Sequence, residues 1–148
     1  MKALSLIQPW ASAIFIKLPN GSALKGIETR SWQTSFKGRV AIHASKGFPK
    51  YAKEFAETER ALGRLPVKLP FGAIIGFVTI MGMRLTQDIV ESISPVERLY
   101  GDYSPGRFAW MLYDAVPLSP AGKVVECRGS LGLWRVPDRI VKELGGDT

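Results

Sequence analysis

The sequence is poor in the two residues that most often build metal and redox sites. It contains one cysteine, Cys127, and one histidine, His43, among 148 residues. A single cysteine excludes an internal disulfide and any site that needs several thiolates, and it fits a reducing compartment such as the cytoplasm. A conventional zinc site is excluded on the same grounds. We therefore expect a cytoplasmic protein without a bound metal.

Long hydrophobic runs are also missing. The longest, GAIIGFVTIMGM at residues 72–83, is too short and too often interrupted by glycine to span a bilayer. Gln8, Pro9 and Trp10 interrupt the N-terminal apolar stretch, so we expect it to belong to the fold and not to a targeting segment. No dinucleotide or P-loop glycine spacing occurs. The sequence therefore predicts no membrane partner and no cofactor.

Acidic residues are scarce in the first half of the chain. Residues 1–68 contain 12 lysines and arginines and 4 acidic residues, a net charge of +8, whereas residues 69–148 carry −1. A basic region of this kind favours a polyanionic partner, and nucleic acid is the leading class. Basic residues can also serve solubility alone, so the charge by itself does not identify a site.

Apolar spacing predicts short helices between strands that bend at glycines. The helix over 49–63 is indicated by the spacing of Tyr51, Phe55, Thr58 and Leu62. Without repeats or a linker, we expect one α+β domain over residues 1–148, a monomer with a frayed end at 145–148. Its expected architecture is a small mixed or antiparallel β-barrel with helices on its rim. Strands are predicted at 2–7, 26–32, 39–45, 71–85, 107–118, 123–129 and 132–136, and helices at 9–17, 49–63, 86–93, 94–101 and 137–146.

The segment KGIETRSW, residues 25–32, does not have the pattern of a purely structural strand. In an extended chain Glu28, Arg30 and Trp32 share one face, and Lys25 lies just ahead of it. Glu28 and Arg30 could form an ion pair that fixes the strand. Alternatively, Arg30 and Lys25 could contact phosphate while Glu28 orients the arginine. In a third interpretation Lys25 is a catalytic base or nucleophile and Glu28 transfers protons.

Aromatic residues beside this segment are candidates for base stacking. Trp10 and Trp32 are either core residues or a wall on which unstacked bases lie. The turn DYSPGR brings Tyr103 and Arg107 ahead of a strand, where they could line the other side of a cleft. Turn chemistry alone also explains most of that segment.

The third predicted strand adds polar candidates. His43 lies opposite the apolar residues of that strand, so its face could continue the face of Glu28 and Arg30, although a lone histidine is more often structural. Ser45 and Lys46 lead into the next helix, whose unpaired N–H groups could hold a phosphate.

Five blocks of the sequence together resemble the ASCH (activating signal cointegrator homology) family. They are ALSLIQPWASAIF, KGIETRSW, KGRVAIHASK, GRFAWML and GSLGLWRVP, in the order in which the family has them, over about residues 3–137. The family's Gly-x-Lys-x-x-Glu-x-Arg signature is matched at Lys25, Glu28 and Arg30, whereas Ala23 replaces the leading glycine. The version at the C-terminus of the cointegrator itself is the most similar.

This resemblance implies a PUA-like fold with a cleft between barrel and helix. It implies binding of RNA or single-stranded DNA in a basic cleft, largely independent of sequence. Two enzymatic branches of the family, an N4-acetylcytidine amidohydrolase and a ribonuclease, have a lysine at the position of Lys25. The alternative function is therefore a hydrolase with Lys25 and Glu28 as catalytic residues. The amidohydrolase branch has Thr at the position of Glu28. A regulatory protein-interaction module is a second alternative.

Overall fold

The computed structural model describes residues 1–118 and 123–145, so residues 146–148 of the expected frayed end lie outside it. The strands are β1 (Lys2–Leu6), β2 (Ile27–Arg30), β3 (Gly38–Ala44), β4 (Ala73–Leu85), β5 (Phe108–Pro117), β6 (Val125–Glu126) and β7 (Leu133–Arg135). The helices are α1 (Trp10–Ala13), α2 (Lys50–Ala61), α3 (Thr86–Ile89), α4 (Pro95–Leu99) and α5 (Asp138–Glu143), and a 3₁₀ turn (Val90–Ser92) follows α3. The predicted order of elements is confirmed.

The strands form one mixed sheet that curls into a half-barrel with helices on its flanks. The strand order is β2-β5-β4-β3-β1-β7, and β6 pairs with one end of β4. Strands β1 and β3 run parallel, whereas the other pairs are antiparallel. This arrangement confirms the expected α+β class and the mixed, barrel-like sheet. None of the helices in the described ranges is both long and apolar enough to cross a bilayer.

Glycines let the long strand β4 bend. The pairing register of β4 with β5 shifts between Ile80 and Gly82, where Gly82 has a φ of +153°. A side chain at Gly76 would place its Cβ 2.5 Å from the ring of Phe15. The sheet therefore curls where the sequence has small residues, as predicted from the glycines.

Helix α1 is shorter than predicted because the chain turns back on itself after four residues. Ile16 accepts a hydrogen bond from the backbone of Leu24, and Lys17 forms an isolated bridge with Ala23. Phe15 meanwhile packs against Gly76. These contacts replace the second turn of the helix predicted to begin at Pro9.

Helix α2 is confirmed, but it faces the core with other residues than those whose spacing predicts it. Its buried residues are Ala52, Ala56 and Glu59. Tyr51 is 61% exposed and Leu62 is 60% exposed. Small alanines allow the helix to pack closely, so its aromatic residues are left to face a surface cleft.

Candidate functional site

A large open cleft lies between the curled sheet and helix α2. Its volume is about 1610 Å³, which exceeds the roughly 300–1,000 Å³ of a typical small-molecule pocket. The sheet contributes residues from β1, β2 and β3, the helices contribute from α1 and α2, and a loop over residues 127–132 closes one side. This position between barrel and helix agrees with the sequence-based expectation.

The cleft brings together seven of the ten residues that the sequence nominates for nucleic-acid binding. Those that line it are Trp10, Glu28, Arg30, His43, Ser45, Lys46 and Arg107. The three that lie elsewhere are Lys25, Trp32 and Tyr103.

Lys25 is buried behind the cleft and its ammonium group is fully engaged. Its side chain is 1% exposed, and its Nζ lies 3.1 Å from Glu28 Oε1. The same nitrogen donates to the carbonyl oxygens of Ile27 at 2.7 Å and Tyr100 at 2.9 Å. An ammonium has three protons, and three acceptors surround it here. The structure thus differs from the expected phosphate contact, because Lys25 would have to give up one of these partners to reach an anion.

Glu28 links Lys25 to Arg30 in one chain of charges. Its Oε2 accepts a hydrogen bond of 2.8 Å from Arg30 Nε, and Arg30 Nη2 donates to the Ser5 carbonyl oxygen at 2.9 Å. The ion-pair interpretation of this segment therefore agrees with the geometry. Arg30 also lines the cleft, and its Nη1 makes no hydrogen bond to a described residue. One edge of the guanidinium can thus still meet a ligand.

Trp32 packs on the inner side of the sheet and not in the cleft. Its ring meets Trp110 edge-on at 4.8 Å, with 84° between the planes. Its carbonyl oxygen accepts a hydrogen bond of 3.3 Å from Trp110 Nε1. Trp32 is half-buried and packs against the hydrophobic core, and stacking of a base on its exposed part stays a prediction.

A second polar layer lies behind Lys25. Glu97 Oε1 accepts a 2.8 Å hydrogen bond from the Gly26 backbone. Its other oxygen and the buried Tyr103 hydroxyl have no partner among the described residues. Burial raises the pKa of Glu97 and of Tyr103, and the nearby Glu97 charge raises that of Tyr103 further. Sequence reasoning missed Glu97, since the pattern Ser94-Pro-Val-Glu97 suggests only a helix cap.

The helix side of the cleft is aromatic. Trp10 and Phe55 are stacked 5.2 Å apart with 10° between their planes, and Tyr51 lies 6.1 Å from Trp10. Phe71 continues this surface beyond them. Trp10 is half-buried, so it serves both the core and the cleft. The sequence signal for Tyr51 and Phe55 was their i, i+4 spacing, which indicates a shared face without saying which surface that face meets.

The charge of the cleft is nearly balanced, and a basic cleft was expected. Arg107 pairs with Asp102 at 3.6 Å, and Lys46 and Arg128 are exposed at the rim. Four cationic side chains meet three carboxylates, so most of the basic excess of residues 1–68 lies outside this cleft. The lining residues are Arg30, Lys46, Arg107 and Arg128 against Glu28, Asp102 and Glu126.

His43 lies at the floor of the cleft and is 3% exposed. Its Nδ1 is 3.0 Å from Ser5 Oγ, and its Nε2 is 2.7 Å from the Cys127 carbonyl oxygen. Burial lowers the pKa of the imidazole, although the bond to Cys127 acts in the opposite direction. Because Arg30 binds the carbonyl of the same serine, the polar face of β3 does continue that of β2, through Ser5.

Solved structures that resemble this chain include crystal structures of ASCH from Zymomonas mobilis. The unmodified protein has a TM-score of 0.55 at 14% sequence identity, and the similarity covers 97% of this chain and 92% of that one. One point mutant gives 0.57 at 16% identity over 97% and 94%, and another gives 0.55 at 16% over 97% and 92%. The chain has the ASCH fold. The resemblance inferred from the five sequence blocks thus predicts the fold correctly.

At these identities the likeness to ASCH concerns the fold, and the cointegrator-type subgroup stays a prediction. No protein-family model matches the chain, and no curated protein is significantly similar to it in sequence. The chemistry of the cleft therefore depends on this chain's own residues.

Proposed function

We propose that this ASCH-fold protein binds single-stranded nucleic acid, RNA or DNA, in the cleft between the sheet and helix α2. The observation that carries the proposal is the aromatic side of the cleft, where Tyr51 is 61% exposed beside the stacked pair of Trp10 and Phe55. Monomeric soluble proteins rarely leave a group of large apolar side chains exposed without a binding role.

Stacking favours unpaired bases over a duplex. The flat faces of unpaired bases are free to lie on aromatic rings, and each stacked base contributes about 1–3 kcal/mol. A duplex already stacks its bases on one another, so it offers only its backbone and groove edges. An aromatic surface inside a long open cleft suits a strand of a few nucleotides.

Cations at the rim suit the phosphates of such a strand. Lys46 and Arg128 are exposed, and no described residue forms an ion pair with either. Arg30 and Arg107 are already paired with Glu28 and Asp102. The proposal therefore assigns backbone contacts to Lys46 and Arg128, and it makes Lys25 a residue that positions Glu28.

Fluorescence polarisation with labelled ten-nucleotide RNA and DNA tests the proposal, with a duplex of the same sequence as comparison. We expect Tyr51→Ala to weaken single-strand binding by 1–3 kcal/mol, about 5-fold to 150-fold. Leu62→Ala is the matched control, because Leu62 caps the C-terminal end of the same helix and is 60% exposed but does not line the cleft.

Two results would contradict this function. One is the absence of single-strand binding at 50 mM salt. The other is equal loss of affinity in Tyr51→Ala and Leu62→Ala, which would place the ligand away from the cleft. Preference for the duplex would point to a surface outside the aromatic cleft.

The hydrolase and protein-partner alternatives, the monomeric state and the cytoplasmic location stay predictions. Hydrolysis through Lys25 needs a lone pair on its side-chain nitrogen, and an ammonium group that donates to three acceptors has none in this conformation. Incubation with N4-acetylcytidine and with structured RNA, followed by mass spectrometry and gel analysis, tests that activity. Turnover that Lys25→Ala abolishes would establish it.

A further inference from the structure

We infer that Ser5 and His43 form a nucleophile and base pair that reacts with activated carboxylic esters carrying a planar group. This activity goes beyond the proposed binding of nucleic acid, and its reacting groups lie at the floor of the cleft. The two residues lie directly opposite each other in the parallel pairing of β1 and β3. Both line the cleft, and Ser5 is half-buried at its floor.

The hydrogen bonds of His43 define which nitrogen can act as a base. Its Nε2 lies 2.7 Å from the Cys127 carbonyl oxygen, and a carbonyl oxygen can only accept. Nε2 therefore carries the proton of the neutral ring, and Nδ1 presents a lone pair. Ser5 Oγ lies 3.0 Å from that lone pair and donates its proton to it. This is the relation of a nucleophile to its general base, with the carbonyl in the orienting role.

The environment of Ser5 also suits a nucleophile. Trp134 Nε1 donates to Ser5 Oγ at 3.0 Å, which fixes the hydroxyl and leaves its second lone pair free. A Cβ at residue 129 would come within 2.8 Å of Ser5 Oγ and 2.6 Å of the His43 ring, so only glycine allows the loop to pass here. The Arg30 guanidinium binds the Ser5 carbonyl oxygen and adds positive charge nearby.

The reaction balances without a cofactor. Ser5 Oγ attacks the ester carbonyl carbon while its proton moves to His43 Nδ1, and the Cys127 carbonyl stabilises the resulting imidazolium. The alcohol then leaves with the proton from Nδ1, and an acyl-serine remains. Water attacks the acyl carbon, gives one proton to Nδ1, and Ser5 recovers its proton when the carboxylic acid is released. The aromatic side of the cleft suits the planar group of such an ester.

A fluorophosphonate probe tests whether Ser5 is nucleophilic. Attack on phosphorus forms an Oγ–P bond, and fluoride leaves while the proton passes to Nδ1. We expect one adduct on the wild-type protein, mapped by mass spectrometry to the peptide that contains Ser5. Ser5→Ala and His43→Gln should slow labelling by about 100-fold or more. Hydrolysis of p-nitrophenyl acetate should follow the same order among the variants.

Ser130→Ala is the matched control, since Ser130 is an exposed serine of the same cleft with no histidine partner. It should be labelled like the wild type. Absence of an adduct on folded wild-type protein, or an adduct on another serine, would overturn the inference.

If Ser5→Ala or His43→Gln does not fold, the pH dependence of labelling in the wild-type protein still tests the role of His43. Its labelling rate at Ser5 should fall in acid as His43 becomes protonated, and a rate independent of pH would overturn the role of His43. Since oligonucleotide binding is measured separately, failure of labelling leaves the binding proposal standing, and the reverse also holds.

Discussion

On the sheet side of the cleft Lys25, Glu28 and Arg30 satisfy one another, whereas on the helix side Tyr51 and Trp10 present rings to the open space. On the sheet side the charged groups are largely paired, and a ligand that does not bind the free edge of Arg30 must compete with existing partners. The helix side offers surface that gains contacts when a ligand arrives. Paired charges thus hold the cleft in shape, and under the proposed function the exposed aromatic surface contributes most of the binding free energy.

The largest effect on stability should follow from breaking the ion pair between Lys25 and Glu28 on the sheet side. Lys25→Met leaves Glu28 with one partner fewer and two buried carbonyl groups, those of Ile27 and Tyr100, without a donor. Removing one member of a buried ion pair costs about 3–5 kcal/mol. We expect the free energy of unfolding in urea to fall by that amount. Lys68→Met, at an exposed lysine, is the control. A loss below about 1 kcal/mol would show that the cluster does not support the fold.

A smaller effect is expected from salt, because few cations of the cleft are unpaired. Two phosphate contacts, at Lys46 and Arg128, predict a slope of about −1.4 for log K against log salt, or about sevenfold weaker binding between 50 and 200 mM. The double variant Lys46→Ala with Arg128→Ala should flatten this slope. Lys17→Ala with Lys68→Ala removes the same charge outside the cleft and should leave it unchanged. If log K still falls steeply with log salt in the Lys46→Ala, Arg128→Ala variant, other basic residues contact the phosphates.

The smallest effect concerns pH and the layer behind the sheet side. Burial raises the pKa of Glu97 above its ordinary value of 4.5, although the Gly26 N–H and Lys25 lower it in part. The folded protein therefore holds this proton more tightly than the unfolded chain. The contribution of Glu97 to stability is thus complete below pH 4.5 and falls as the pH rises through the folded-state pKa.

Glu97→Gln removes this titration and keeps an acceptor for Gly26. The variant should gain stability relative to the wild type between pH 4 and pH 7, measured by urea unfolding at both values. Glu57→Gln, at an exposed position of α2, controls for the loss of a charge. A difference between Glu97→Gln and wild type that does not change with pH would argue against a raised pKa.

Sequence reasoning succeeded where a local pattern determines the structure. Alternation over residues 27–30 predicts that Glu28 and Arg30 share a face, and the structure brings both to the cleft. The glycines of β4 predict its bends because no other residue fits there without strain. Proline and glycine likewise mark the ends of most helices and strands, so the order of elements follows from the sequence.

Sequence reasoning failed where burial depends on contacts between residues far apart in the chain. The burial of Lys25 depends on the carbonyl of Tyr100, 75 residues away in the chain. The buried face of α2 includes Glu59, whose carboxylate is stabilised by Arg64 and by the Tyr100 hydroxyl. A spacing rule assigns charged residues to the solvent side, so it gives the aromatic Tyr51 to the core. The assignment is reversed in the structure, because Arg64 and Tyr100 provide partners for a buried Glu59.

Tyr100 joins the two sides of the cleft through two different groups. Its hydroxyl donates to Glu59 of α2 at 2.7 Å, and its carbonyl oxygen accepts from Lys25 at 2.9 Å. Helix α2 and strand β2 thereby share a fully buried partner. The two should open as one unit of local unfolding, and a bound strand that slows amide hydrogen exchange in α2 should slow it in β2 as well.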